Sequence, residues 1–384
     1  MPYYYSLGNL PHKRHTQFRK TDGNLYAEQL FSTQGFSDDY SLLYHCHPPT
    51  VIVSSEQDAD LAPVRADDHL LKHRSFDGFA IAPADDYLQN RVPVLFNDDL
   101  HISLAAPRSG MTEYFYKNAD ADELLFVHEG SGVLQTMYGE VVFKYGDYLV
   151  IPRGTTYQLS FDSGDNRLLI VESFSPLRFP QRYLSGRGQL MEHAPFCERD
   201  LRPPVELRTF DSSGEYPIRI KKQQRLHRLV YAFHPFDVVG WDGCCYPFAL
   251  SIHDFEPVTG RVHQPPPVHQ TFEADGFVVC SFVPRLFDYH PQAVPAPYHH
   301  SNIDSDEVLY YVGGDFMSRK HVSRGMMTLH PAGIPHGPHP GTVEKSIGQK
   351  ETHELAVMID SFRPLQLTKQ ALEIEQPDYY KSWR

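Results

Sequence analysis

The sequence predicts a mainly β protein made of two small barrels in tandem, one in each half of the chain, and three observations predict it. One motif is written twice, as Tyr116-Lys117-Asn118-Ala119-Asp120-Ala121-Asp122-Glu123-Leu124-Leu125-Phe126 and as His300-Ser301-Asn302-Ile303-Asp304-Ser305-Asp306-Glu307-Val308-Leu309-Tyr310. A second phrase repeats downstream of each copy: Pro152-Arg153-Gly154-Thr155-Thr156-Tyr157 answers Pro331-Ala332-Gly333-Ile334-Pro335-His336. Finally, 31 prolines and 25 glycines in 384 residues cut the chain into short segments. That punctuation suits strands and turns better than long helices.

In chain order, residues 1 to about 95 are expected to elaborate the first barrel and to carry oligomer contacts. Gly132–Tyr138 and Val141–Tyr145, broken at Gly139-Glu140, read as a hairpin. Gly146-Asp147 is a turn before a short buried strand, Tyr148–Ile151. Arg202-Pro203-Pro204 reads as a linker, giving units 1–205 and 206–384, although the boundary could lie as late as 250. In the second unit Glu307–Val312 and Met326–Leu329 are strands separated by Gly313-Gly314, and Leu367–Ile374 is a terminal helix. Strands joined by glycine turns, in duplicate, make two barrels or sandwiches.

Hydrophobic residues form 41% of the chain, enough for a sizeable core, and the net charge is −13. Phosphate backbones require basic surface, so nucleic acid is excluded as a main partner. No run of 18 apolar residues is present, so no membrane span is expected. Met1-Pro2-Tyr3-Tyr4-Tyr5 lacks the charged start of a signal peptide. The five cysteines form no CxxC pair and read as free thiols of a reducing, cytoplasmic protein.

The duplicated motif keeps metal-binding side chains only in its second copy. Tyr116 stands where His300 stands, and Tyr157 where His336 stands. His300, Glu307 and His336 therefore form a candidate metal set of two imidazoles and one carboxylate. That set is the facial triad of non-haem Fe(II) oxygenases, which leaves positions open for a chelating substrate and O₂; the donors alone also suit Mn or Ni. The first barrel is expected to bind no metal. His299 would point away from His300, because neighbours on an extended segment face opposite sides. His330 precedes His336 at a strand end, and His263 and His269 flank the run Gln264-Pro265-Pro266-Pro267-Val268.

These phrases resemble the cupin superfamily in its two-barrel form. The wording is similar to the homogentisate 1,2-dioxygenase family. The resemblance rests on Asn24–Leu30 with Leu43-Tyr44, on Pro235–Gly243 with Tyr246-Pro247, on Pro297–Asn302, and on Leu329–Pro331 with Pro335–Pro338. It implies a bicupin of jelly-roll barrels, with Fe(II) held by His300, Glu307 and His336. It also implies a general base at His263, with His269 as the rival, and a pocket histidine at His330. Asn302, Phe316 and His336 would touch the substrate. The implied reaction is O₂-dependent ring cleavage of homogentisate (2,5-dihydroxyphenylacetate) to maleylacetoacetate, in tyrosine and phenylalanine breakdown, by a homo-oligomer such as a trimer or hexamer. The chain departs from the family in three places. Asn302 is followed by four residues before Glu307 instead of three, Phe316 replaces a tyrosine, and Ser301 replaces an arginine. The departures leave a different hydroquinone-type acid as a second reading, and a metal-bearing, non-catalytic bicupin as a third. If the substrate carboxylate is recognised, Arg319, Lys320 or Arg324 are the nearest cations in sequence.

Overall fold

The computed structural model describes residues 3–314, 316 and 322–384. Strands alternate apolar residues between two faces, and that parity sets the architecture. In Asp122–Glu129, Leu125 and Val127 enter the interior of the first barrel, while Leu124 and Phe126 face outward into a second, larger core. In Asp306–Gly313, Leu309 and Tyr311 enter the second barrel, while Val308, Tyr310 and Val312 face that same shared core. The two barrels are therefore fused along apolar sheet faces, and the chain is a bicupin. Polar contacts also cross the seam, among them a 2.7 Å hydrogen bond between His128 Nδ1 and the Tyr310 hydroxyl.

The first barrel combines a seven-stranded and an eight-stranded sheet. Its predicted hairpin is present as Gly132–Thr136 against Gly139–Phe143, with Thr136 opposite Gly139. The turn residues are Met137 and Tyr138, and Gly139 takes the positive φ of 118° that a side chain would resist. The second barrel has a six-stranded sheet in the order Gln270–Ala274, Phe277–Phe282, Leu355–Ser361, Asp306–Gly313, Met326–His330 and Arg74–Asp77. The last of these strands comes from the N-terminal segment. Part of that segment thus completes the second barrel, beyond its expected role in elaborating the first.

The segment after the Arg202-Pro203-Pro204 linker stays with the N-terminal half. Ser213–Lys222 runs parallel to Phe115–Asn118, and Arg225–Phe233 pairs with Ile52–Asp60. Val238–Gly243 pairs with Tyr40–His45, and Phe248–Ser251 with Asp147–Ile151. This pairing argues for a division near residue 252, because a two-proline linker does not stop the strands after it from closing the preceding sheet. The terminal helix is Lys369–Glu373, capped by the Thr368 hydroxyl accepting from Ala371 N at 3.0 Å. All five cysteines are free thiols. No helix among the described residues is long and apolar enough to cross a membrane.

At the centre of the first barrel a side-chain cation occupies the place matching the second barrel's candidate metal. Arg91 Nη1 lies 2.7 Å from Glu123 Oε1, and its Cζ sits 4.5 and 5.3 Å over the rings of Tyr87 and Tyr116. The Tyr157 hydroxyl donates to Glu123 Oε2 at 2.8 Å. The tyrosines that replaced histidines thus pack around a guanidinium. Removing one partner of a buried ion pair strands the other charge and costs about 3–5 kcal/mol. Arg91→Ala is expected to lower unfolding stability by about that amount in a denaturant titration, with the metal content per chain unchanged.

Candidate metal centre

Both copies of the repeated motif build the same backbone scaffold. In the second, Asp306 Oδ1 accepts from Ala332 N at 2.8 Å and Oδ2 from Leu365 N at 2.7 Å. In the first, Asp122 accepts from Arg153 N at 2.8 Å and from Leu177 N at 2.9 Å. Gly333 N reaches Asn302 O just as Gly154 N reaches Asn118 O, at 3.3 and 2.7 Å. The repeated aspartate and glycine are therefore fasteners, and the variable letters between them decide the chemistry.

In the second barrel this scaffold brings His300 and His336 directly opposite one another. Each backbone N–H donates to the other's carbonyl at 2.9 Å, an isolated antiparallel pair that puts both side chains on one side. Glu307 enters from the neighbouring strand, on its interior parity. His300 Nε2 lies 3.5 Å from Glu307 Oε2, and His336 Nε2 lies 3.3 Å from Glu307 Oε1. The donor atoms of His300, Glu307 and His336 all fall within 4.8 Å of one another. His336 is fully buried, and neither of its ring nitrogens makes a hydrogen bond among the described residues. Although its Nε2 is close to the carboxylate, it is not aligned to bond it. A buried imidazole nitrogen left without a partner, facing a carboxylate and a second imidazole, is what a metal ligand set looks like without its ion. The donors fit a metal.

Burial alone would raise the carboxyl of Glu307, but the facing imidazoles of His300, His330 and His336 hold it well below the usual carboxylate range. It is therefore ionised, as a ligand must be. His330, the cross-strand partner of Glu307, shares its interior face and is fully buried, with Nδ1 2.8 Å from Glu307 Oε1 and Nε2 3.3 Å from the Tyr379 hydroxyl. Its ring stacks on His336, with centroids 4.6 Å apart. From there it can position the carboxylate.

A cavity of about 400 Å³ opens in front of Glu307 and His300. Asn302, His263 and His269 line it, together with Ser301 and Tyr298. His263 Nδ1 lies 3.1 Å from Asp288 Oδ2, and its side chain is half exposed. His269 is buried against Phe282, and burial pushes its imidazole down to about 3. Phe316 does not line the cavity but packs edge-on against Tyr311, which does, at 4.8 Å. Phe316 therefore shapes the wall only through that ring. Arg324 lies at the seam between barrels, donating to His128 Nε2 at 3.0 Å and pairing with Glu129 at 2.9 Å, so it is not a cation of this cavity. Arg319 and Lys320 lie outside the described residues.

Comparisons with known proteins match this architecture along its whole length. Residues 6–252 match the family "Homogentisate 1,2-dioxygenase N-terminal", and residues 252–384 match "Homogentisate 1,2-dioxygenase C-terminal". The chain belongs to the homogentisate 1,2-dioxygenase family. A protein of Saccharolobus solfataricus, provisionally named as a dioxygenase, is 44% identical over 100% of this chain and 99% of its own length. Homogentisate 1,2-dioxygenases of Bradyrhizobium diazoefficiens and Dictyostelium discoideum are each 26% identical, over 98% and 94% of this chain and 90% and 89% of theirs.

Two cavity residues of this family member escaped the sequence analysis. Asp360 is the cross-strand partner of Glu307, with Oδ1 buried and unbonded. Burial first, then the neighbouring Glu307 charge, pushes its carboxyl up to about 7. Its counterpart Glu172 pairs across from Glu123 but is neutralised by Lys221 Nζ at 2.7 Å. A third repeated phrase would have revealed both: Val171-Glu172-Ser173-Phe174-Ser175-Pro176-Leu177 and Ile359-Asp360-Ser361-Phe362-Arg363-Pro364-Leu365. Arg285, the other omission, lies on a two-residue strand with no repeat to flag it. Partners that orient a metal's ligands typically contribute 10- to 100-fold to its affinity, so His330→Ala is expected to weaken metal binding by roughly that factor. A competitive chelator titration of wild type and variant reads it directly.

Proposed function

We propose that the chain is an Fe(II)-dependent dioxygenase that cleaves the ring of homogentisate or a closely related hydroquinone acid, in aromatic amino-acid breakdown. The observation that carries this reading is the buried imidazole of His336, which makes no hydrogen bond among the described residues and faces Glu307 and His300, in a chain of this family. His300, Glu307 and His336 would hold the ion. When bound, ferrous iron supplies the activation of O₂ beside a chelating aromatic substrate. The free thiols suit a reducing, cytoplasmic location, and the family resemblance implies a homo-oligomer.

The chain's own residues account for binding and proton movement. The cavity of about 400 Å³ admits a single-ring acid, with Leu309, Met358 and Tyr311 as its apolar wall. Asn302, at the cavity edge beside His300, offers an amide to a ring substituent. His263 is the better base of the two rivals. Its Nδ1 faces Asp288, so Nε2 is free to accept a phenolic proton while the carboxylate steadies the imidazolium that forms. His269 faces no carboxylate, and a group held near 3 is a weak proton acceptor. Phe316 and Ser301 offer neither the phenol nor the guanidinium found in relatives, which is why a different hydroquinone acid stays the second reading.

The test is anaerobic loading with Fe(II), then addition of homogentisate and air. One iron per chain, oxygen uptake and a new product chromophore are expected. His336→Ala is expected to lose the iron, and iron retained in that variant would overturn the ligand set. His263→Ala is expected to keep its iron and lose about 10²- to 10⁴-fold in kcat, the usual effect of a general base. The same loss in His269→Ala, with His263→Ala active, would reverse the assignment.

A further inference from the structure

Four carboxylates line the cavity: Asp288, Glu307, Glu354 and Asp360. An anionic substrate would enter a wall of its own sign. Arg285 is the one arginine or lysine among the described lining residues. Its backbone is held at the cavity by a two-strand ribbon, Arg285–Leu286 against Glu351–Thr352. Its side chain is 17% exposed, and its Cζ lies 5.4 Å over the ring of Phe282.

The guanidinium is mostly uncommitted. It carries five N–H donors in a planar fork. Among the described residues, Nη1 donates to Val283 O at 3.1 Å, while Nη2 lies 3.7 Å from Glu354 Oε2, too far for a hydrogen bond. A partly desolvated fork with spare donors binds a carboxylate through two parallel charge-assisted bonds. Neither Ser301 nor Phe316 can make such a bond, and Arg324 is committed at the seam between barrels.

We propose that Arg285 binds the carboxylate of the substrate, with Glu354 as the resting counter-ion that it leaves. The proposal rests on the reading of the cavity as the site of an aromatic acid. It makes acid recognition in this chain depend on the ribbon at the cavity mouth, a different element from the one that carries the motif histidines.

Two measurements test it on the full-length protein. The first is the ratio of kcat/KM for 2,5-dihydroxyphenylacetate to that for 1,4-dihydroxybenzene, the same ring without the acetate. The second is binding of phenylacetate by calorimetry, which needs no turnover. A hydrogen-bonded charge pair is worth about one to two powers of ten in affinity, so Arg285→Ala is expected to lower both readouts ~10- to 100-fold. Arg285→Lys keeps the charge without the fork and is expected to fall between. Arg285→Gln, closer in size, serves if the alanine variant folds poorly. A ratio unchanged in these variants overturns the proposal and leaves the dioxygenase reading intact. If the wild type turns over neither ring, binding decides. Arg285-dependent phenylacetate binding then upholds the proposal while the reaction assignment fails, and absence of binding overturns both.

Discussion

The candidate centre depends on one ionised carboxylate kept away from water. Glu307 is buried, and burial of a lone carboxylate is strongly unfavourable. Three imidazoles offset that cost: His330 at 2.8 Å, His336 at 3.3 Å and His300 at 3.5 Å. His330 is itself anchored by Tyr379, from the C-terminal segment. Trp383, from the same segment, donates to Gly337 O at 3.1 Å. The last residues of the chain therefore help to hold the ligand in place.

The two barrels present one scaffold with two solutions to the same electrostatic problem. Each has a carboxylate at the second strand position, Glu123 or Glu307, and a second carboxylate across from it, Glu172 or Asp360. In the first barrel, Arg91 and Lys221 neutralise the pair from within the chain. Tyrosines then fill the volume, and the centre is closed. In the second barrel Arg285 is the one lysine or arginine among the described residues that line the cavity. Histidines stand at the tyrosine positions, and the negative charge is left for an outside cation. The half with tyrosines at these positions holds an internal cation, and both halves share equivalent aspartate fasteners.

Much of this was legible in the sequence because duplication makes chemistry visible against a control. Tyr116 and Tyr157 show what the positions of His300 and His336 look like when they hold no ligand. The repeat marked Glu307 as a candidate ligand, and the glycine signal found the hairpin, although its turn falls at Met137-Tyr138, two residues before the Gly139-Glu140 break that the sequence suggests. Other features were not legible. The contact of His330 with the Glu307 carboxylate is not visible in its place before His336, because strand pairing across 23 residues sets the two side by side. The Arg202-Pro203-Pro204 stretch reads as a boundary, yet the next four strands pair backwards.

The sequence by itself determined the fold class, the repeat, and which half carries a metal-binding set, because each follows from local patterns of side-chain type and spacing. The tertiary structure decided which groups share the cavity. Arg285 comes from a short two-strand ribbon, Asp288 from the loop after it, Asp360 from a strand more than fifty residues beyond Glu307, and Arg74–Asp77 from the N-terminal segment adds the edge strand of the sheet. Such neighbours are set by long-range strand pairing and by barrel closure, and no local pattern encodes either.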